Sequence, residues 1–287
     1  MTYPWSQPIT GTAAGVPFTA LPPRDNGTHA PLVVMWHLMD PPCTDAAMAA
    51  ALPMAALPAW RVYFGLPLTG RRFPAGGFKE LIRLGHADAV LNLYGPILSK
   101  AADEAPVAVA AVRAEFGIAD GPIGVADGSA GGAVALEVIA RGGLPVTAAA
   151  LVNPMVRVAR AVTANERILD VRYEWTDASR AVAERFDFLR RAAEIAAAAP
   201  ALLVISGEDD DPEFRGDAEA LERELASRYR DAARLRRQSV PGMPHHLAEP
   251  PGIEPAPQNA HAATVDAAFA SWFAKHLCQV AGQEAGS

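Results

Sequence analysis

The chain has 287 residues, of which 51% are hydrophobic and 20% are charged, and its formal net charge is −7. This apolar content is enough for one large core, and the acidic balance argues against nucleic acid as a partner. The first six residues lack the cationic start and apolar run of a secretory signal. No segment is long and apolar enough to span a bilayer, so no membrane association is expected. We therefore expect a cytoplasmic protein in which the two cysteines, Cys43 and Cys278, are free thiols.

Short apolar runs alternate with longer segments of helical periodicity along the chain. An antiparallel edge hairpin is predicted first, over residues 9–21. Buried strands are predicted at residues 31–36, 60–66, 122–126, 146–152 and 201–206, followed by a more polar strand nearer an edge at residues 233–240. This alternation predicts the α/β class, with a mostly parallel central sheet and helices on both faces.

Helices are predicted between these strands. Thr44 or Asp45 is expected to cap a helix running towards residue 57, which Pro53 would kink or split. Further helices are predicted at residues 130–141, 182–189, 212–229 and 265–276.

The stretch 153–177 interrupts the alternation, because no further strand is predicted until residue 201. It is interpreted as an excursion over the carboxyl edge of the sheet, where open α/β sheets bind ligands. We expect a single domain over residues 1–287, with at most a small lid or cap within residues 153–195.

The segment IGVADGSAGG, residues 123–132, contains the most informative serine of the chain. A strand ends, Ser129 follows among very small residues, and a helix begins at once, as a strained nucleophile elbow requires. The helix start supplies free N–H groups near Ser129, so the N–H of Ala130 is a candidate oxyanion donor. Asp127 stands where the G-x-S-x-G pattern has its first glycine. A turn that only permits close packing is the alternative interpretation.

Carboxylates follow the predicted strand 201–206 in the sequence GEDDDP. An acid at this point can accept a hydrogen bond from histidine Nδ1–H and fix the tautomer of the ring. Asp210, three residues after Gly207, is the candidate acid, and Asp211 is the alternative. At least one of these aspartates is expected to cap the helix that begins near Pro212.

Two histidines follow the last predicted strand in the sequence VPGMPHHL. His245 is the candidate base and His246 the alternative. The serine, the acid and the histidine each follow a strand, so a parallel sheet would bring them to one edge. The histidines lack the spacing typical of zinc ligands, so no metal is expected.

With these three segments in this order, the chain resembles the α/β-hydrolase superfamily from about residue 31 to residue 277. The resemblance implies the α/β-hydrolase fold and a second oxyanion N–H in the loop after an early strand. There, His37-Leu38 takes the place of the His-Gly found in the family. The N–H of Met39 is the expected donor, with that of Leu38 as the alternative, and His37 is expected to anchor the loop.

The resemblance implies a serine hydrolase, carboxylesterase-like, that acts on a small-molecule ester through an acyl-enzyme and needs no cofactor. Candidates for an apolar substrate pocket are Trp36, His37, Leu38, Met39, Met155 and, in the excursion, Tyr173 and Trp175. Acyl transfer or peptide hydrolysis at the same site is an alternative. A non-catalytic ligand-binding member of the fold is another, favoured by Asp127 but opposed by the joint presence of all three triad residue types.

Overall fold

The structure is a computed structural model that describes residues 7–24, 27 and 29–278. Within this part of the chain, eight strands form one sheet. The strands are β1 (Ile9–Ala13), β2 (Val16–Leu21), β3 (Leu32–Trp36), β4 (Trp60–Phe64), β5 (Ile123–Gly128), β6 (Val146–Val152), β7 (Ala201–Gly207) and β8 (Leu235–Val240).

The sheet has the order β1-β2-β4-β3-β5-β6-β7-β8. Strand β2 pairs antiparallel with both β1 and β4, and every other neighbouring pair is parallel. The predicted mostly parallel sheet is therefore confirmed, with the predicted hairpin at one edge and the polar strand β8 at the other.

Helices cover both faces of this sheet. They are α1 (Asp45–Ala51), α2 (Gly77–Ala89), α3 (Gly95–Phe116), α4 (Ser129–Arg141), α5 (Val158–Leu169), α6 (Asp177–Arg185), α7 (Ala192–Ala198), α8 (Pro212–Ala226) and α9 (Ala260–Phe273). A π-helical segment, Val90–Tyr94, joins α2 to α3, and another, Ala274–Cys278, follows α9. Short 3₁₀ turns lie at Gly70–Arg72 and Ala232–Arg234.

The core consists of two apolar layers separated by the sheet. Helices α1 and α9 pack on one face, and α3, α4 and α8 pack on the other. Successive residues of β3 alternate between the layers, since Val33 and Met35 lie in the first and Val34 and Trp36 in the second. This burial on both faces explains why the central strands are continuous apolar runs.

Several predicted helix ends are wrong. The helix capped by the Thr44 side chain ends at Ala51, because the chain leaves helical geometry at Leu52, directly before Pro53. The break expected at Pro53 is therefore confirmed, whereas the continuation towards residue 57 is wrong. The helix predicted to reach residue 189 ends at Arg185, where Phe186 departs from helical geometry. Helix α8 ends at residue 226 rather than 229. Helices α2, α3, α5 and α7 were not predicted.

The region of the predicted lid contains α5, α6 and α7, between β6 and β7. Helix α7 packs against α4 and α8 and belongs to the layer that covers the sheet. Helices α5 and α6 instead contact the π-helical segment Val90–Tyr94, above the carboxyl edge. Among the described residues, no helix has the length and apolar character of a membrane span.

Candidate active site

Ser129 lies at the junction between β5 and α4. Strand β5 is buried along its whole length, and α4 begins at Ser129 itself. The backbone of Ser129 has φ +50°, a left-handed conformation that non-glycine residues adopt at a cost of order 1–3 kcal/mol. Such local strain is typical of a nucleophile elbow, in which a sharp turn presents the hydroxyl at the top of the sheet.

Two glycines leave room for this turn. A Cβ added to Gly128 would lie 2.9 Å from Leu38 Cδ1 and 3.1 Å from the carbonyl oxygen of Val152. A Cβ added to Gly131 would collide with the carboxylate of Asp127. The small residues beside Ser129 are therefore required by close packing between β5, the loop after β3 and the end of β6.

The structure brings Ser129, His245 and Asp210 together. His245, in the loop after β8, has its Nε2 2.8 Å from Ser129 Oγ and its Nδ1 2.8 Å from Asp210 Oδ1. Asp210 lies after β7, and its side chain is fully buried. A carboxylate can only accept this bond, so Nδ1 carries the proton and Nε2 faces the serine hydroxyl as an acceptor. This is the arrangement in which a histidine can remove the serine proton.

The surroundings of His245 set its protonation. Burial favours the neutral ring, but the hydrogen bond from Nδ1 to Asp210 and the negative charges of Asp210 and Asp40 raise the pKa of His245 above its ordinary 6.5. Asp40 contributes because its Oδ2 lies 3.7 Å from His245 Nε2. A raised pKa suits a group that must hold a proton transiently and then release it.

The two alternative residues lie elsewhere. Asp211 accepts a hydrogen bond from the Glu213 N–H at 2.8 Å, which caps α8, and its other oxygen pairs with Arg167 at 2.9 Å. His246 is half-buried. In the described chain, the hydroxyl of Ser129 and the carboxylate of Asp210 bond the ring of His245 and not that of His246.

The two expected oxyanion donors border the same cavity as Ser129. The N–H of Ala130 is in the first turn of α4 and so has no partner within the helix. Within the described ranges, no backbone oxygen accepts a hydrogen bond from the N–H of Met39. Met39 and Ala130 line the cavity, whereas Leu38, the alternative, is fully buried and does not border it.

His37 fixes the loop that carries Met39. Its Nδ1 lies 2.6 Å from the Leu38 carbonyl oxygen, and its Nε2 lies 3.1 Å from the Leu66 nitrogen, whose N–H donates to it. Complete burial lowers the pKa of His37 to about 4, so the ring is neutral near neutral pH. A neutral ring with one donating and one accepting nitrogen satisfies both bonds.

Asp127, at the position of the missing elbow glycine, is fully buried beneath the turn. Its Oδ1 accepts a hydrogen bond from the Trp36 N–H at 2.9 Å, while its Oδ2 has no partner among the described residues. Burial raises the pKa of Asp127 well above its ordinary range. The side chain therefore ties β5 to the end of β3, next to the loop that holds Met39.

Asn153 was not predicted as a site residue. Its side-chain amide donates to the carbonyl oxygens of Pro244 and His245 at 3.0 and 3.1 Å, and its Oδ1 accepts from the Gly207 N–H at 2.7 Å. Its own carbonyl oxygen accepts from the Ser129 N–H at 3.2 Å. Asn153 thus connects the segments that carry all three clustered residues. Its position directly after β6, at the carboxyl edge of the sheet, is the sequence feature that could have marked it as a candidate site residue.

A cavity of about 910 Å³ opens beside Ser129 and His245. Met155 lines it, as expected, and so does Tyr173. The prediction that Trp36, His37 and Leu38 line a substrate pocket is wrong, because their side chains point into the core and are at most 2% exposed. Trp175 is not among the lining residues but packs edge-on against Tyr173, with 4.8 Å between ring centroids.

The walls of this cavity come mainly from helix α2, which the sequence did not indicate as a site element, and from helix α5, which lies within the predicted excursion over the carboxyl edge. Helix α2 and the following π-helical segment form one side, and α5 with residues 171–173 forms the other. The ends of β5 and β7 and the loop after β8 form its floor.

No protein-family model matches the chain, and no curated protein matches its sequence. Solved structures nevertheless resemble it over almost its full length. A protein from Thermus thermophilus, TT1662, shares 16% identity at a TM-score of 0.57, over 93% of this chain and 97% of its own. An esterase from Pyrococcus furiosus shares 10% identity at a TM-score of 0.55, with coverages of 94% and 91%.

An acylaminoacyl peptidase from Pyrococcus horikoshii has a higher TM-score, 0.64, at 12% identity. The likeness covers 95% of this chain but 42% of the peptidase, so the chain spans about two fifths of that protein. At these identities the likeness concerns the fold.

Proposed function

From the α/β-hydrolase fold that the chain shares with these structures, we propose that it is a serine hydrolase that cleaves carboxylic esters through an acyl-enzyme. The observation that carries this proposal is the pair of 2.8 Å contacts joining Ser129 to His245 and His245 to Asp210. A protein that only binds a ligand has no physical need for a strained serine, a buried carboxylate and a histidine in this linked order.

In the proposed reaction, Ser129 Oγ attacks the ester carbonyl carbon while His245 Nε2 takes the hydroxyl proton. Asp210 remains ionised and stabilises the imidazolium that forms. The N–H groups of Ala130 and Met39 donate to the oxyanion of the tetrahedral intermediate, a contribution typically worth about 10²–10³ in turnover per donor.

The imidazolium then gives its proton to the leaving alkoxide, and the alcohol departs. Water next attacks the acyl-enzyme, losing its proton to His245, and a second collapse releases the acid and restores the Ser129 hydroxyl. Each proton that leaves an oxygen is returned through Nε2, so the cycle closes without a metal or an organic cofactor.

A fluorophosphonate probe tests the proposal directly. We expect the purified chain to be labelled at one serine and the Ser129→Ala variant to remain unlabelled, although equally folded by circular dichroism. The matched control is Ser271→Ala, since Ser271 is an exposed serine on α9, outside the site. A folded wild-type protein that resists the probe would favour the ligand-binding alternative.

Substrate assays separate the catalytic alternatives. Hydrolysis of p-nitrophenyl butyrate, abolished in Ser129→Ala, would support the esterase. Faster cleavage of an acylated amino-acid anilide than of the matching ester would support a peptidase. A rise in ester consumption on adding an alcohol acceptor, with the new ester as product, would support acyl transfer.

A further inference from the structure

Exposed apolar side chains concentrate at the opening of the active-site cavity. Seven large hydrophobic residues are exposed within the described ranges, and five of them line this cavity. The five, called the rim below, are Phe78, Ile82, Ile168, Leu169 and Val171, with exposures of 63%, 45%, 69%, 62% and 47%. Isolated surface hydrophobics are ordinary, but a cluster around one opening indicates a binding role.

The rim comes from two separate elements that face each other across the opening. Phe78 and Ile82 are on the first turns of α2, and Ile168 and Leu169 are on the last turn of α5. Since the two helices are far apart in sequence, this clustering is produced by the fold and not by one apolar segment.

Below the rim, the cavity continues between buried apolar side chains towards Ser129. Leu81 and Leu93 line the α2 side, Val162 lines the α5 side, and Met155 lies next to the serine. All four are at most 9% exposed. These residues form an apolar path from the reactive hydroxyl to solvent, and polar side chains, among them Glu166 and Arg172, border other parts of the cavity.

We propose that this cavity holds a long aliphatic acyl chain, so that the substrates are esters of long-chain rather than short-chain acids; this proposal rests on the proposed esterase function. The carbonyl lies at Ser129, the chain runs between α2 and α5, and its far end contacts the rim. A short acyl group would leave the rim exposed to water, whereas a long one removes both its own methylenes and the rim side chains from water.

The physical consequence is a dependence on chain length. Each methylene buried against an apolar wall favours the bound state by roughly fourfold in kcat/KM, the factor that corresponds to about 0.8 kcal/mol. The increase should continue until the chain reaches the rim and should then stop, because further methylenes remain in water.

The test uses p-nitrophenyl acetate, butyrate, hexanoate, octanoate and decanoate below their aggregation limits. For the wild-type chain we expect kcat/KM to rise by about fourfold per methylene over the first part of the series. The double variant Phe78→Ser, Leu169→Ser should lower the decanoate-to-acetate ratio of kcat/KM by at least about tenfold. Both positions are exposed, so the fold is expected to tolerate the changes.

The matched control is Val107→Ser. Val107 is 55% exposed on α3 and does not line the cavity, so this change removes a similar apolar surface elsewhere. The control should keep the wild-type chain-length profile.

A profile that is flat or falls with chain length, in an enzyme that cleaves the acetate, would overturn the acyl-chain proposal and leave the esterase intact. The acyl-chain proposal would also be overturned if kcat/KM rose with the length of the alcohol, measured with acetate esters of longer alcohols, but not with the length of the acyl chain. An unchanged decanoate-to-acetate ratio in the rim variant would also overturn it and would favour a protein partner at the rim.

A binding measurement separates failure of this proposal from failure of the proposed function. Calorimetry with Ser129→Ala and aliphatic alcohols of increasing length needs no catalysis. Affinity that rises with chain length in a protein that neither reacts with fluorophosphonate nor cleaves any ester would retain the apolar-chain site while refuting the esterase. Affinity independent of chain length would refute the site itself.

Discussion

Asn153 offers the sharpest test of how the three clustered residues are held in place. It is 1% exposed, and its side chain makes three hydrogen bonds, two to carbonyl oxygens of the His245 loop and one to the Gly207 N–H that precedes Asp210. Replacement by alanine removes all three at once. It leaves a buried N–H and two carbonyl groups without their partner.

The expected magnitude follows from these bonds and from the backbone. Three hydrogen bonds at about 1 kcal/mol each give a loss of about 3 kcal/mol in the free energy of unfolding. Asn153 also has φ +44°, and alanine tolerates this conformation less well than asparagine, which adds about 1 kcal/mol. We therefore expect Asn153→Ala to lower the free energy of unfolding by about 4 kcal/mol.

Activity should fall as well, because the loop that presents His245 is no longer fixed to the end of β6. A displacement of about 1 Å at a catalytic group can reduce turnover by about 10². We expect kcat for p-nitrophenyl butyrate to fall by at least that factor at a temperature where the variant is still folded.

The Asn153→Asp variant tests the two hydrogen bonds that the side-chain amide donates separately from the one that its Oδ1 accepts. The aspartate keeps an oxygen for the Gly207 N–H but turns a second oxygen towards the carbonyls of Pro244 and His245. Burial and these carbonyls should raise the pKa of the introduced carboxyl, so the folded state binds more protons than the unfolded state. The stability of this variant should then fall as pH rises above about 4.

Urea unfolding at pH 5 and pH 8 measures both variants, and Asn259→Ala is the matched control. Asn259 caps α9 through a bond from the Ala262 N–H, away from the site, so its loss should cost about 1 kcal/mol and leave kcat unchanged. The reasoning is refuted if Asn153→Ala unfolds within 1 kcal/mol of the wild type and retains its kcat.

Three further predictions concern the carboxylates. Asp210→Asn should reduce kcat by about 10⁴, whereas Asp211→Asn should leave kcat near the wild-type value, and equal losses in the two variants would contradict the assignment of the acid. The raised pKa of His245 should place the midpoint of the acidic limb of the kcat/KM pH profile above pH 6.5, because only the neutral ring accepts the serine proton. Asp40→Asn should move this midpoint to lower pH, and an unchanged midpoint would exclude a direct effect of the Asp40 charge on His245. The raised pKa of Asp127 means that the folded state keeps a proton that the unfolded state loses above pH 3.8, so the contribution of Asp127 to the free energy of unfolding falls as pH rises, by about 1.4 kcal/mol per pH unit until the buried group ionises. Asp127→Asn removes this decline, so its gain over the wild type should be larger at pH 8 than at pH 4 in urea unfolding, and a constant difference would argue against a protonated Asp127.

The sequence indicated the strands better than the walls of the site. Buried parallel strands are short apolar runs, and the residues that follow them meet at one edge, so a meeting of Ser129 with the GEDDDP and PHHL segments could be inferred from strand order and local motifs. The choice of Asp210 over Asp211 and of His245 over His246 required the folded structure. Cavity-lining residues carry no such signal. On α2, Phe78, Leu81 and Ile82 have the spacing of an apolar helix face, but the sequence does not reveal that Phe78 and Ile82 are exposed at the cavity while Leu81 is buried.

Two other features depended on side-chain direction, which local sequence does not fix. Trp36 and Leu38 are two residues apart at the end of β3, but their side chains pack in opposite layers of the core and not in the cavity. Asn153 is equally ambiguous, because asparagine after a strand is common in ordinary turns. Its contacts with Pro244 and His245 join segments about 90 residues apart, which only the folded chain brings together.

The origin of the cavity walls has a consequence for how this protein can change. Bond making would depend on strand ends and on loops tied to the sheet core, whereas the choice of acyl group would depend on α2 and α5, whose outward residues add little to that core. Selectivity is therefore open to revision by replacing a few solvent-facing side chains, with small thermodynamic penalties and an unaltered reaction centre. Substitutions at these positions, whether engineered or natural, can therefore change substrate selectivity while the fold is retained.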